Sequence, residues 1–176
     1  MQPFKSLLIS STLTPWLLLI LSSLCFEAIA LYYQYVLGFQ PCVVCIQVRI
    51  LLVVCLLVSL AGLCWRQHAA ARIAALLTLL ISYIALIERS WELLGTERGF
   101  IMGSCSFDLG LPNWLAVDQW LPFLFKVQTT CGYTPEIAFG FSMAEVLLAL
   151  FVLFAAFILC LLLLDIKTAA HSLGKE

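Results

Sequence analysis

Of the 176 residues in this chain, 64% are hydrophobic and only 11% are charged, whereas an ordinary soluble domain is about half apolar and about a quarter charged. With a mean hydropathy of +1.09, that excess excludes a water-soluble core of this size and places the chain in a bilayer. The net charge of −1, with no basic run, gives nucleic-acid binding no support. A single membrane domain over residues 1–176 is expected, without internal repeats or low-complexity segments.

Four segments reach or approach the roughly 20 apolar residues that a spanning helix needs. Residues 16–37 are broken only by Glu27 and a few small polar residues, and residues 43–63 carry one charge, Arg49. Residues 73–91 are apolar as far as Ile87, where Glu88 and Arg89 begin the polar end, and residues 144–164 are uncharged from Val146 onward. All four read as helices, because open strands cannot satisfy their backbone groups in lipid. Lys5, the apolar run 16–24 and Ala28-Ile29-Ala30 mimic a cleavable signal peptide. The apolar character continues to Leu37, however, which suits a retained span better.

Basic residues set the orientation. Lys5, Arg66, Arg72, Lys167 and Lys175 fall in the two tails and the short 65–72 link, against Arg89, Arg98 and Lys126 in the much longer 88–142 stretch. The positive-inside rule puts both termini and that link in the cytoplasm. The turn at 38–41 and the long loop, approximately 92–142, then lie outside. Tyr32, Tyr33, Tyr35 and Trp91 sit at the expected outer ends, and Trp16 and Trp65 at the inner ends, where interfacial aromatics collect. Within the long loop, residues 114–121 are short, aromatic and amphipathic. They read as a helix or turn in the interface plane or as a loop cap packed on the bundle, close to the membrane in either case.

This topology sorts the eight cysteines. Cys25, Cys55 and Cys160 lie within spans and Cys64 near an inner end, where a free cysteine behaves as a small, inert hydrophobe. Cys42, Cys45, Cys105 and Cys131 all fall on the outer, oxidising side, where two disulfides are expected. Three pairings are possible, the simplest joining Cys42 to Cys45 and Cys105 to Cys131. A Cys105–Cys131 bridge would close a long loop and serve equally as a staple. A Cys42–Cys45 bridge closes almost no loop, and its spacing recurs where a dithiol must open and close.

Pro41 precedes Cys42, so both sulfurs fall in the first turn of the second span, where free N–H groups and the helix dipole favour a thiolate. Arg49 lies four residues beyond Cys45, one turn deeper on the same face, and an arginine inside a span is a functional candidate, with snorkelling to the headgroups as its plainer explanation. Gln47 and Val48 are expected on other faces. Glu27 falls near mid-membrane by helix rise, fitted to a structural hydrogen bond at least as well as to proton handling. A disulfide at the membrane edge takes electrons from a dithiol through mixed disulfides and must pass them on. A lipid-soluble quinone fits as acceptor, with Arg49 polarising a carbonyl or holding the charge that develops. No flavin, nicotinamide or phosphate-loop signature is present.

The run Pro41-Cys42-Val43-Val44-Cys45-Ile46-Gln47-Val48-Arg49 resembles the P-C-x-x-C-x-x-x-R motif of the disulfide bond formation protein B (DsbB) family. Cys105-Ser106-Phe107, Pro112-Asn113-Trp114-Leu115, Asp118-Gln119-Trp120, Pro122 and Cys131 resemble that family's second outer loop, and the likeness covers nearly the whole chain. The resemblance implies an all-α bundle of four transmembrane helices, both termini cytoplasmic, in the inner membrane of a Gram-negative bacterium. Its long periplasmic loop would carry a short interfacial helix. It also implies a route for electrons. A reduced periplasmic DsbA-like thioredoxin-fold oxidase would attack a Cys105–Cys131 disulfide, Cys105 taking the mixed disulfide and Cys131 exchanging with Cys42. Cys45 would stand nearest the quinone, able to form a charge-transfer or covalent adduct, with Arg49 beside it. Ubiquinone is the expected acceptor and menaquinone its anaerobic substitute. Gln47-Val48 stands where many members have Tyr-Glu, and Glu92 where some have histidine, which bears on quinone contacts and partner fit.

Two other readings compete. A vitamin K epoxide reductase-like enzyme also joins CxxC to quinones in a helical bundle, but CxxC at the start of the second of four spans favours the first family. A structural Cys₄ zinc site from Cys42, Cys45, Cys105 and Cys131 is disfavoured on an oxidising face, and no metal is expected. Haem is disfavoured because His68 and His171 fall outside the spans.

Overall fold

A computed structural model describes residues 12–102, 109–111, 116–130, 136–138 and 140–173. Four helices in it are long and apolar enough to cross a membrane: α1 (Leu13–Tyr35), α2 (Val43–Cys64), α3 (Ala69–Glu97) and α6 (Met143–Leu173). At about 1.5 Å per residue, the 22 residues of α2 reach about 33 Å, enough for a hydrocarbon core of about 30 Å. Two single turns, α4 (Val117–Trp120) and α5 (Pro122–Phe125), and a two-stranded ladder, β1 (Glu136–Ala138) with β2 (Phe141–Ser142), occupy the long loop.

Local chemistry sets each helix end. Pro15 sits in the first turn of α1, where its missing N–H costs nothing. Gly38, at φ +74°, turns the chain away after the far end of α1, a left-handed conformation that only glycine adopts freely. Ser142 and Glu145 form a reciprocal capping box at the start of α6: the Glu145 N–H donates to Ser142 Oγ and the Ser142 N–H to Glu145 Oε2. α4 and α5 stay separate because Leu121 precedes proline, which disfavours helical backbone there; its φ is −133°. The described part of the 114–121 segment is thus one turn, α4, with Trp120 exposed, and α5 follows it, leaving Phe123 exposed and burying Phe125.

α3 is the hub, packed against both α2 and α6, while α1 packs on α2. The main core joins Trp16 and Leu19 of α1, Leu52 and Cys55 of α2, Leu76, Leu79, Tyr83 and Leu86 of α3, and Phe151, Ile158 and Leu161 of α6. Gly62 lies directly against the Trp16 ring, so the small residue lets α1 and α2 approach closely. Phe26 meets Phe151 edge-on at 5.3 Å, and Tyr83 stacks on Phe154 at 5.7 Å. α3 extends at both ends beyond residues 73–91. Arg72 is neutralised by Asp165 of α6 at 3.0 Å, and Arg89 pairs with Glu92 at 2.7 Å, so charged turns continue the helix past its apolar stretch.

Candidate functional site

The second core cluster carries the site. It gathers Cys42, Val43, Val44 and Ile46 of the α2 start with Leu93, Leu109, Phe125 and Ala144. Cys42 is the N-cap of α2, and its sulfur accepts a hydrogen bond from the Cys45 N–H at 3.3 Å. The two sulfurs lie 2.7 Å apart. Cys42 is buried, whereas Cys45 is partly open and lines an adjoining cavity of about 350 Å³.

That cavity lies between α1, α2 and the start of α6, beneath the turn at 38–41. α1 contributes Phe26, Ala30, Tyr33 and Gln34, a single helical face; α2 contributes Cys45, Val48, Arg49 and Leu52. Val48 therefore stands beside Arg49 and not on another face, because residues three and four apart share one side of a helix. Met143 and Leu147 of α6 and Leu93 of α3 add apolar wall, while Phe39, Pro41, Thr129 and Thr130 lie along the loop side.

Arg49 is only 5% exposed, and its guanidinium is held by acceptors from two other elements. Nη1 donates to Gln34 Oε1 at 2.5 Å and to the Leu124 carbonyl of α5 at 3.1 Å, and Nη2 donates to the Ala30 carbonyl at 2.9 Å. Both Glu27 carboxylate oxygens are buried with no hydrogen-bond partner among the described residues. Gln47 faces away from the cavity and donates to the Leu109 carbonyl at 3.1 Å.

The long loop is tied to the dithiol end of α2. The Gln128 and Thr129 N–H groups donate to the Pro41 carbonyl at 2.9 and 3.3 Å, and the Tyr35 hydroxyl donates to the Phe123 carbonyl. Cys105 and Cys131 lie outside the described residues. Among the described residues, no group of three or more His, Cys, Asp or Glu is placed to hold a metal ion. Gln34, Tyr33 and Phe39 were not foreseen as lining residues. A signal existed for Gln34, an amide inside an apolar span two turns from Glu27 on one face.

Four membrane-length helices around a dithiol at a helix start define a multi-pass membrane protein built for thiol chemistry. The family model described as disulfide bond formation protein DsbB matches residues 12–161. Disulfide bond formation protein B 2 of Pseudomonas aeruginosa is 36% identical over 157 residues, 88% of this chain and 89% of that protein. Disulfide bond formation protein B of Pasteurella multocida is 32% identical over 165 residues, 93% and 92% of the two chains. The corresponding Haemophilus influenzae protein is 30% identical over 152 residues, 86% of each. The chain belongs to the DsbB family, membrane oxidoreductases of disulfide bond formation.

Proposed function

We propose that this protein reoxidises a periplasmic DsbA-like thiol oxidase and delivers the electrons through two cysteine pairs to a membrane quinone. The observation that carries this reading is that Cys45, alone of the dithiol, and Arg49 open onto one apolar cavity. Its residues fit a quinone. Phe26, Tyr33 and Phe39 flank a flat ring, Leu52 and Leu147 exclude water, and a single guanidinium addresses a carbonyl. A bound quinone supplies an acceptor for two electrons and two protons. The chain's own part begins when Cys105 takes the mixed disulfide with the partner and Cys131 passes the exchange to Cys42. That exchange opens the Cys42–Cys45 bond and frees Cys45 as a thiolate. When the oxidised partner leaves, Cys105 re-forms its bond to Cys131 and frees Cys42. The Cys42–Cys45 bond would then re-form by giving two electrons and two protons to a quinone held in the cavity, one quinone for each dithiol oxidised. Arg49 stabilises negative charge throughout, in a site that largely excludes water.

Two further features support the reading. The Pro41 carbonyl, next to Cys42, anchors residues 128–129, and Thr130, immediately before Cys131 in the chain, lines the same cavity. The distribution of basic residues supports cytoplasmic termini, with the dithiol facing the periplasm, and the likeness to proteins of Pseudomonas aeruginosa, Pasteurella multocida and Haemophilus influenzae supports a Gram-negative inner membrane. Ubiquinone is the proposed acceptor, with menaquinone as a substitute.

The test is quinone reduction, followed by absorbance, with purified protein and a reduced thioredoxin-fold partner. Cys42→Ser, Cys45→Ser, Cys105→Ser and Cys131→Ser should each abolish steady turnover. Arg49→Ala should raise the quinone KM by about tenfold to a hundredfold, the worth of a hydrogen bond from a charged group. Full turnover by Cys105→Ser and Cys131→Ser with the protein partner would overturn the relay. Failure of the wild-type protein to reduce any quinone would overturn the whole reading.

A further inference from the structure

Among the described residues, Arg49 is the cavity's one charged side chain, and a guanidinium on a flexible stem serves a ligand only if its plane is aimed. Its five N–H donors are unequally engaged. Both Nη1 hydrogens are spent, on Gln34 Oε1 and the Leu124 carbonyl, and one Nη2 hydrogen is spent on the Ala30 carbonyl. Nε makes no hydrogen bond to a described residue, and Nη2 makes one where it can make two. Two of the three acceptors are backbone carbonyls, held wherever their helices lie. Among the described residues, Gln34 is the only side chain in the cradle, and at 8% exposure it is buried with Arg49.

We infer that Gln34 is a positioning residue: its side-chain oxygen locks the Nη1 end of Arg49 so that the free Nε/Nη2 edge addresses a quinone carbonyl. This rests on the quinone reading of the cavity. Gln34 therefore sets quinone affinity through Arg49, and it has no part in the exchange with the thiol partner. An acceptor without charge suits the task. A carboxylate would neutralise the guanidinium, whereas an amide oxygen orients it and leaves its full charge for the ligand.

The test uses the full-length protein in detergent, decylubiquinone as the probe, and two readouts. The first is the ¹⁵N side-chain spectrum of Arg49 without quinone, in which restricted rotation keeps the two Nη groups distinct. Gln34→Leu should shift the Nη1 resonance and speed exchange between the two Nη groups by leaving Nη1 only the Leu124 carbonyl, and Gln34→Glu, which keeps the acceptor oxygen, should hold the wild-type pattern. The second readout is kinetic. Gln34→Leu should raise the quinone KM by about tenfold, in line with one hydrogen bond from a charged donor, with the KM for the thiol partner unchanged. Within an Arg49→Ala background the same substitution should add nothing. An unaltered Arg49 spectrum in Gln34→Leu, an unaltered quinone KM, or effects that multiply in the double variant would overturn the inference. If the wild-type protein neither binds nor reduces decylubiquinone, the quinone reading fails and the inference with it, a result separate from any change in the Arg49 spectrum.

Discussion

Cys42 has two separable duties, one chemical and one structural. Its thiol belongs to the pair, and its sulfur caps α2 by accepting the Cys45 N–H. Serine is among the best N-cap residues and alanine among the poor ones, a difference of about 1 kcal/mol. Cys42→Ser should therefore abolish turnover yet melt near the wild-type temperature in detergent, while Cys42→Ala should lose both activity and about 1 kcal/mol of stability. Equal stability of the two variants would show that the cap contributes nothing. Arg49 likewise does more than its place in the motif suggests. It joins α1, α2 and α5 through Gln34, Ala30 and Leu124, so its substitution should loosen the long loop as well as weaken the proposed quinone use.

Helix pairs are held by a few specific contacts against a background of apolar packing. Trp16 lies on Gly62 where α1 crosses α2, and a Cβ added at position 62 would overlap the indole ring. Gly62→Ala should cost about 1–3 kcal/mol by overpacking, read as a lowered melting temperature, and Trp16→Leu in the same chain should recover part of the loss. On the expected cytoplasmic side, Arg72 of α3 pairs with Asp165 of α6 at 3.0 Å, with side chains only 13% and 8% exposed. Arg72 also caps the 65–72 link by donating to the Arg66 carbonyl at 2.9 Å. Arg72→Ala strands a buried carboxylate and should destabilise by about 3–5 kcal/mol, whereas replacing both partners by apolar residues should cost much less. A double variant as unstable as Arg72→Ala would contradict that account.

The bundle holds a cavity because α1 and α6 do not close on each other at the dithiol end; the Phe26, Tyr83, Phe151 and Phe154 cluster joins them deeper in. Filling that space should separate ligand use from folding: Ala30→Phe should raise the quinone KM strongly and leave the melting temperature near that of the wild type, since the ring enters existing space. The four helices were legible because long apolar windows admit no other structure in lipid, and the CxxC–Arg49 alignment was legible because helical spacing is rigid over one turn. Val48, expected on another face, lies on the cavity face, as the spacing of three residues from Cys45 requires. Gln34 carried a signal as an amide inside an apolar span, but its meeting with Arg49, the use of the Leu124 carbonyl and the anchoring of residues 128–129 on Pro41 depend on tertiary packing. Composition and local periodicity determine which segments enter the membrane and where each helix starts. Which residues from separate helices converge on one guanidinium depends on how those helices pack, a long-range outcome that no local pattern encodes.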